Sequence, residues 1–146
     1  MINIAIISAL LFIPWFAGCL LGLDGTLGGR IGLCAVFLFT ALGHFLKADE
    51  MLPMLPPAVP ARRAVLYLSG VLEAFFAVGV VAFSNTAPLG WCIAAFLVAV
   101  SPANVYAAVR RIPFGGHSMG PRYLFLRLPL QLLLIGWTDW FTIRGR

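Results

Sequence analysis

Two side chains of opposite charge, Glu73 in LSGVLEAFFAVG and Arg127 in LRLPLQLLLI, lie well inside long apolar runs, while the remaining charged residues fall in or beside the segments between runs. A charge at the middle of a membrane helix costs about 2.5–3.5 kcal/mol on insertion scales, so each needs a partner, a water-filled cavity or a shifted protonation state. A carboxyl group so placed can accept or relay a proton, and a guanidinium can donate to a carbonyl or hydroxyl oxygen. His44, Asn104 and Gln131 belong to the same polar layer. Counted at ~1.5 Å per helical residue from the run ends that lead to residues 47–63 and 110–120, Glu73 is about 14 Å deep, Arg127 about 9 Å, Asn104 about 8 Å and His44 about 3 Å. Gln131 is one helical turn deeper than Arg127 on the same face, and Thr138 continues that stripe.

Two prolines mark this layer as well. Pro102 and Pro129 remove intrahelical hydrogen bonds and free the carbonyls of Val98 and Phe125, and irregular backbone inside a membrane is tolerated where it is buried in protein or lines a cavity. Ser69, Gly70, Ala74 and Ala77 give the Glu73 helix a narrow face suited to close packing, which turns the carboxyl inward. Two readings of the layer follow. In one, Glu73 and Arg127 form a buried ion pair facing each other across the third and fifth runs, with His44 nearer the membrane surface and Asn104 and Gln131 fixing helix register. In the other, His44, Glu73, Asn104, Arg127 and Gln131 line a pocket that binds something.

The elements that must position these residues are helices. The chain has 146 residues, is 62% hydrophobic and only 10% charged, and has a mean hydropathy of +1.00, a composition that belongs in a bilayer rather than in water. Five apolar runs, about 2–23, 30–46, 64–83, 89–109 and 121–141, each approach the ~20 residues needed to cross the hydrocarbon. The expectation is an all-α integral membrane helical bundle forming one domain over residues 1–146. The first run carries no basic segment ahead of it and no A-x-A-like site, so it reads as a retained helix rather than a signal peptide. Cys19, Cys34 and Cys92 form no C-x-x-C pair, and two histidines make no metal cluster, so no metal site and no catalytic residue is assigned.

Residues 47–63, KADEMLPMLPPAVPARR, hold four prolines among apolar side chains and are expected to lie in the interface as a non-helical cap. Residues 112–121, IPFGGHSMGP, lack phosphate-loop spacing and read as a mobile turn. Lys47, Arg62, Arg63, Arg110, Arg111 and Arg122 fall on one side and Arg30, Arg144 and Arg146 on the other, which places the first side and the N-terminus in the cytoplasm. The bilayer accounts for the net charge of +5 without a nucleic-acid partner. Trp15, Trp91, Trp137, Trp140 and Tyr123 lie near run ends and read as interfacial anchors.

The ordered set GHFLK at 43–47, MLPMLPPAVP at 51–60, YLSGVLEAFFAVGV at 67–80, SPANVYAAV at 101–109, GGHSMGP at 115–121 and LRLPLQLLLIGWTDWF at 126–141 resembles the DoxX-like family of small bacterial membrane proteins. The resemblance implies a four-helix core, runs two to five here, with the first run as an N-terminal transmembrane addition, in a bacterial inner membrane. It also implies the motif positions His44, Glu73, Asn104, Arg127 and Gln131. The family is named for a subunit associated with thiosulfate:quinone oxidoreductase, and other members are linked to redox homeostasis or to membrane-protein assembly. On this footing the leading expectation is a binding protein for a small amphipathic molecule, with a quinone as the cofactor candidate, and not an enzyme by itself. A structural or assembly subunit partnered by another membrane protein is the alternative, and a proton-coupled transporter the third.

Overall fold

The computed structural model describes residues 2–22, 24–115 and 117–145. Helix α1 (Ile2–Leu20) is followed after a short turn by α2 (Gly25–Leu46), which starts earlier than the expected residue 30. The reason is local. The Asp24 carboxylate accepts from the Thr26 N–H at 2.9 Å and caps the new helix, and the glycines that follow are needed where helices touch. A Cβ on Gly28 would lie 3.1 Å from the Trp15 Cα, and one on Gly32 would collide with the Leu11 backbone. The ends of α1 and α2 on this side therefore meet backbone to backbone.

The cap is more helical than its prolines suggest. A single turn, α3 (Ala48–Met51), continues into a 3-10 turn at Leu52–Met54 that holds Pro53 near its start, before the prolines at 56, 57 and 60 break the pattern. Helices α4 (Arg62–Ala82) and α5 (Ala87–Val109) agree with the third and fourth runs. The fifth run does not form one long helix. It divides into a 3-10 segment at His117–Tyr123, α6 (Leu124–Thr138) and a π-turn at Asp139–Ile143. The 3-10 segment is itself kinked at Gly120, whose φ of 72° is one that side chains other than glycine rarely adopt. Among the described residues there is no strand, and four helices, α1, α2, α4 and α5, are long and apolar enough to cross a membrane. Helix α6, with 15 residues, spans only about 22 Å.

Helix α2 packs against α1 on one side and α4 on the other, and α5 packs against α6 and its two flanking turns. The shared core contains Leu11, Leu33, Phe37, Phe76, Val80, Ile93, Leu97 and Leu134. On α4 the two faces are both apolar but differ in burial. Leu66, Gly70, Glu73, Ala77 and Val80 are buried, whereas Leu68, Val71, Phe75 and Val78 are exposed. An uncovered stripe of that kind fits lipid rather than water.

The half of the bundle away from the Glu73 layer is also held by polar contacts. Trp137 Nε1 donates to the Gly29 carbonyl at 3.0 Å, Arg30 Nε to the Phe141 carbonyl at 3.0 Å, and the Thr86 hydroxyl to the Thr142 carbonyl at 2.9 Å. These bonds tie the π-turn to α2 and to the start of α5. Burial corrects the reading of two aromatics as interfacial anchors: Trp137, bonded to Gly29, is buried, and Tyr123, near the other end of the bundle, is 2% exposed. Trp91 and Trp140 do face outward.

Candidate functional site

The opposite end of the bundle encloses a cavity of about 510 Å³. Its walls come from the start of α1, the last turns of α2, the cap at 47–55, the first half of α4, the end of α5, the turn at 114–117, and the start of α6. Most of the lining is apolar, with Ile7, Phe39, Leu42, Met51, Met54 and Leu66 among its members. The segments expected on one side of the membrane, including the N-terminus, thus meet around one chamber.

Four of the five expected residues, His44, Glu73, Asn104 and Arg127, line it; Gln131 does not. The Gln131 amide instead donates to the Leu97 carbonyl and joins α6 to α5, the register role foreseen for it, one residue away from the carbonyl of Val98 that Pro102 releases. Asn104 donates from its amide to Val100, one turn back in its own helix, at 3.2 Å.

The expected ion pair is not formed. Among the described residues the Glu73 carboxyl has no salt bridge to Arg127; its neighbour is His44, with Nε2 3.5 Å from Oε2. The cause is the contact between α2 and α4. Gly70, one turn before Glu73, has no side chain, so α2 approaches until His44 sits against it, and the imidazole reaches the carboxyl before Arg127 does. At 3.5 Å the pair attracts but does not make an aligned hydrogen bond. We expect His44→Ala and Glu73→Ala to show a coupling of about 0.5–3 kcal/mol in a double-mutant cycle read by detergent-induced unfolding. The Glu73–Arg127 coupling should be smaller, and the reverse ranking would restore the ion pair.

Sequence reasoning missed His117, Tyr123 and Thr40, all of which line the cavity. Of residues 112–121, expected to be a mobile turn, Phe114, Gly115 and His117 line the cavity, as does Tyr123 just beyond. His117 Nδ1 lies 2.6 Å from the Phe114 carbonyl, and the reversal at Gly120 brings Tyr123 edge-on to the His117 ring at 4.7 Å. The signal was in the sequence as GPRY following His117, a glycine that permits reversal and an aromatic positioned to return. Burial holds His117 below the ordinary imidazole range; the Phe114 carbonyl acts against this and the Arg127 guanidinium adds to it.

Four buried side-chain atoms have no hydrogen-bond partner among the described residues: His44 Nδ1, Glu73 Oε2, His117 Nε2 and Arg127 Nε. All four residues line the cavity. An unsatisfied buried polar group costs about 1–3 kcal/mol and is rare in folded proteins, so four around one chamber call for an explanation.

Residues 33–142 match a family described as Domain of unknown function (DUF8561). The chain belongs to this family. No curated protein and no solved structure matches it. The DUF8561 span begins within α2 and ends in the π-turn, so it contains every cavity-lining residue except Asn3 and Ile7 of α1. The family match therefore covers nearly all of the chamber lining and leaves the whole of the first helix outside it.

Proposed function

We propose that this DUF8561 protein is an integral membrane protein that binds a small amphipathic molecule in the chamber. The observation that carries the reading is the set of four buried, unpartnered polar atoms on the lining of one largely apolar cavity. A polar head would be held by His44, Glu73, His117 and Arg127, and an apolar tail would run along Ile7, Phe39 and Leu42. Sites of this kind, apolar with a few convergent polar groups, are the usual form of small-molecule pockets. The DoxX-like resemblance supports a quinone-type ligand, and the arginine-rich loops support placing the chamber in the cytoplasmic half.

The test is titration of the purified protein in lipid nanodiscs with decylubiquinone and decylubiquinol, followed by calorimetry, together with native mass spectrometry of protein taken from its own membrane. Saturable one-site binding that weakens in Glu73→Gln, or a retained lipid-like adduct, is the expected result. The absence of both binding and adduct would overturn the proposal. A second reading, a structural or assembly subunit, is favoured by the contacts of His44 with Glu73 and of Gln131 with Leu97, which join helices in pairs. It predicts that Glu73→Gln lowers stability and leaves binding untouched.

A further inference from the structure

The chamber presents a hydrogen-bond acceptor as well as donors. A carbonyl oxygen can only accept, so the 2.6 Å contact between His117 Nδ1 and the Phe114 carbonyl requires the proton to be on Nδ1. Burial keeps the ring neutral. The lone pair is then on Nε2, away from Nδ1 on the ring, in a residue that is 3% exposed, lines the cavity and has no partner for that atom among the described residues. Arg127 Nε carries a proton and is equally without a partner. A head group made only of acceptors, such as a quinone, ketone or ester, would satisfy Arg127 and leave His117 Nε2 buried and unmet.

Resting on the cavity being a ligand site, we propose that the ligand carries a hydroxyl group, as in a quinol, phenol or alcohol, which donates to His117 Nε2 while an oxygen of the same head accepts from Arg127 Nε. The site would then discriminate by protonation of the head, binding a quinol in preference to its quinone. A site that must hydrogen-bond a hydroxyl rejects the analogue lacking it, because its own polar atom is left unpaired.

The experiment compares decylubiquinol, decylubiquinone and the dimethyl ether of decylubiquinol on the wild-type protein in nanodiscs. Binding of the quinol about tenfold or more tighter than the ether is expected from the cost of an unmet buried acceptor. His117→Leu should bring quinol affinity down to that of the ether with little change in ether binding, and His117→Gln, whose amide oxygen accepts, should recover part of the preference. Equal, saturable binding of quinol and ether by the wild type would overturn the hydroxyl requirement and leave the ligand-site reading standing. Binding of none of the three would remove the ligand-site reading itself. Nitrogen-15 spectra of histidine-labelled wild-type protein check the tautomer without any variant: His117 should be protonated at Nδ1, and a proton on Nε2 would overturn the proposal.

Discussion

Gly70→Leu should abolish the native bundle, and Gly70→Ala should cost about 1–3 kcal/mol, the usual range for overpacking a core. A Cβ at this position would lie 2.7 Å from the His44 Cβ and 3.1 Å from the Phe45 ring. The His44 Cβ is bonded directly to the α2 backbone, so relief requires the helices to separate rather than a side chain to rotate. Separation would thin the contact between α2 and α4 and move His44 away from Glu73. Unfolding in increasing sodium dodecyl sulfate, followed by circular dichroism, measures the loss. A Gly70→Leu protein as resistant as wild type would mean that α2 and α4 are not packed at this distance.

Arg127→Met should have two opposite effects. With no carboxylate in contact, the guanidinium contributes no ion pair to the apo protein, and an apolar side chain of similar length removes a buried unpaired donor, so stability should be unchanged or should rise. Ligand affinity should fall by about 10- to 100-fold, since a hydrogen bond to a charged group is worth about 1.5–3 kcal/mol. Arg127→Lys should recover only part of the affinity, because an ammonium cannot reproduce the position of Nε. Thermal unfolding without ligand and calorimetry with decylubiquinol separate the two effects. A stability loss of about 3–5 kcal/mol in Arg127→Met would instead be the mark of a broken buried ion pair.

Much of this arrangement was legible in the sequence because membrane helices place polar residues sparingly. Depth along each run brought His44, Glu73, Asn104 and Arg127 to the same half of the membrane, and those four share the cavity. Depth does not fix rotation about the helix axis, which is why Gln131, on the same stripe as Arg127, was grouped with the cavity but reaches Leu97. Nor does it measure how closely two helices approach. Gly70 decides that, and with it the choice of His44 over Arg127 as the neighbour of Glu73. The 112–121 segment was misread because glycine and proline signal a turn without saying what the turn covers, and here His117, with Tyr123 just beyond the segment, lines the cavity. The fifth run misled in another way: its hydropathy is continuous, but its backbone changes from 3-10 to α to π along its length.

The close seam between α1 and α2 makes the first helix a lever. Its fulcrum is where Gly32 meets the Leu11 backbone, three residues before the proline at position 14 that lacks a backbone donor. From Leu11 to Asn3 the helix runs for about 12 Å, and its tip forms part of the chamber wall. A tilt of about 10° about that point displaces the tip by roughly 2 Å. The bonds from Trp137 to Gly29 and from Arg30 to Phe141 hold the base of α2 in place during such a swing. Such a swing would widen the chamber toward the lipid through the motion of one rod, while the helices that carry Glu73, Asn104 and Arg127 kept their mutual positions.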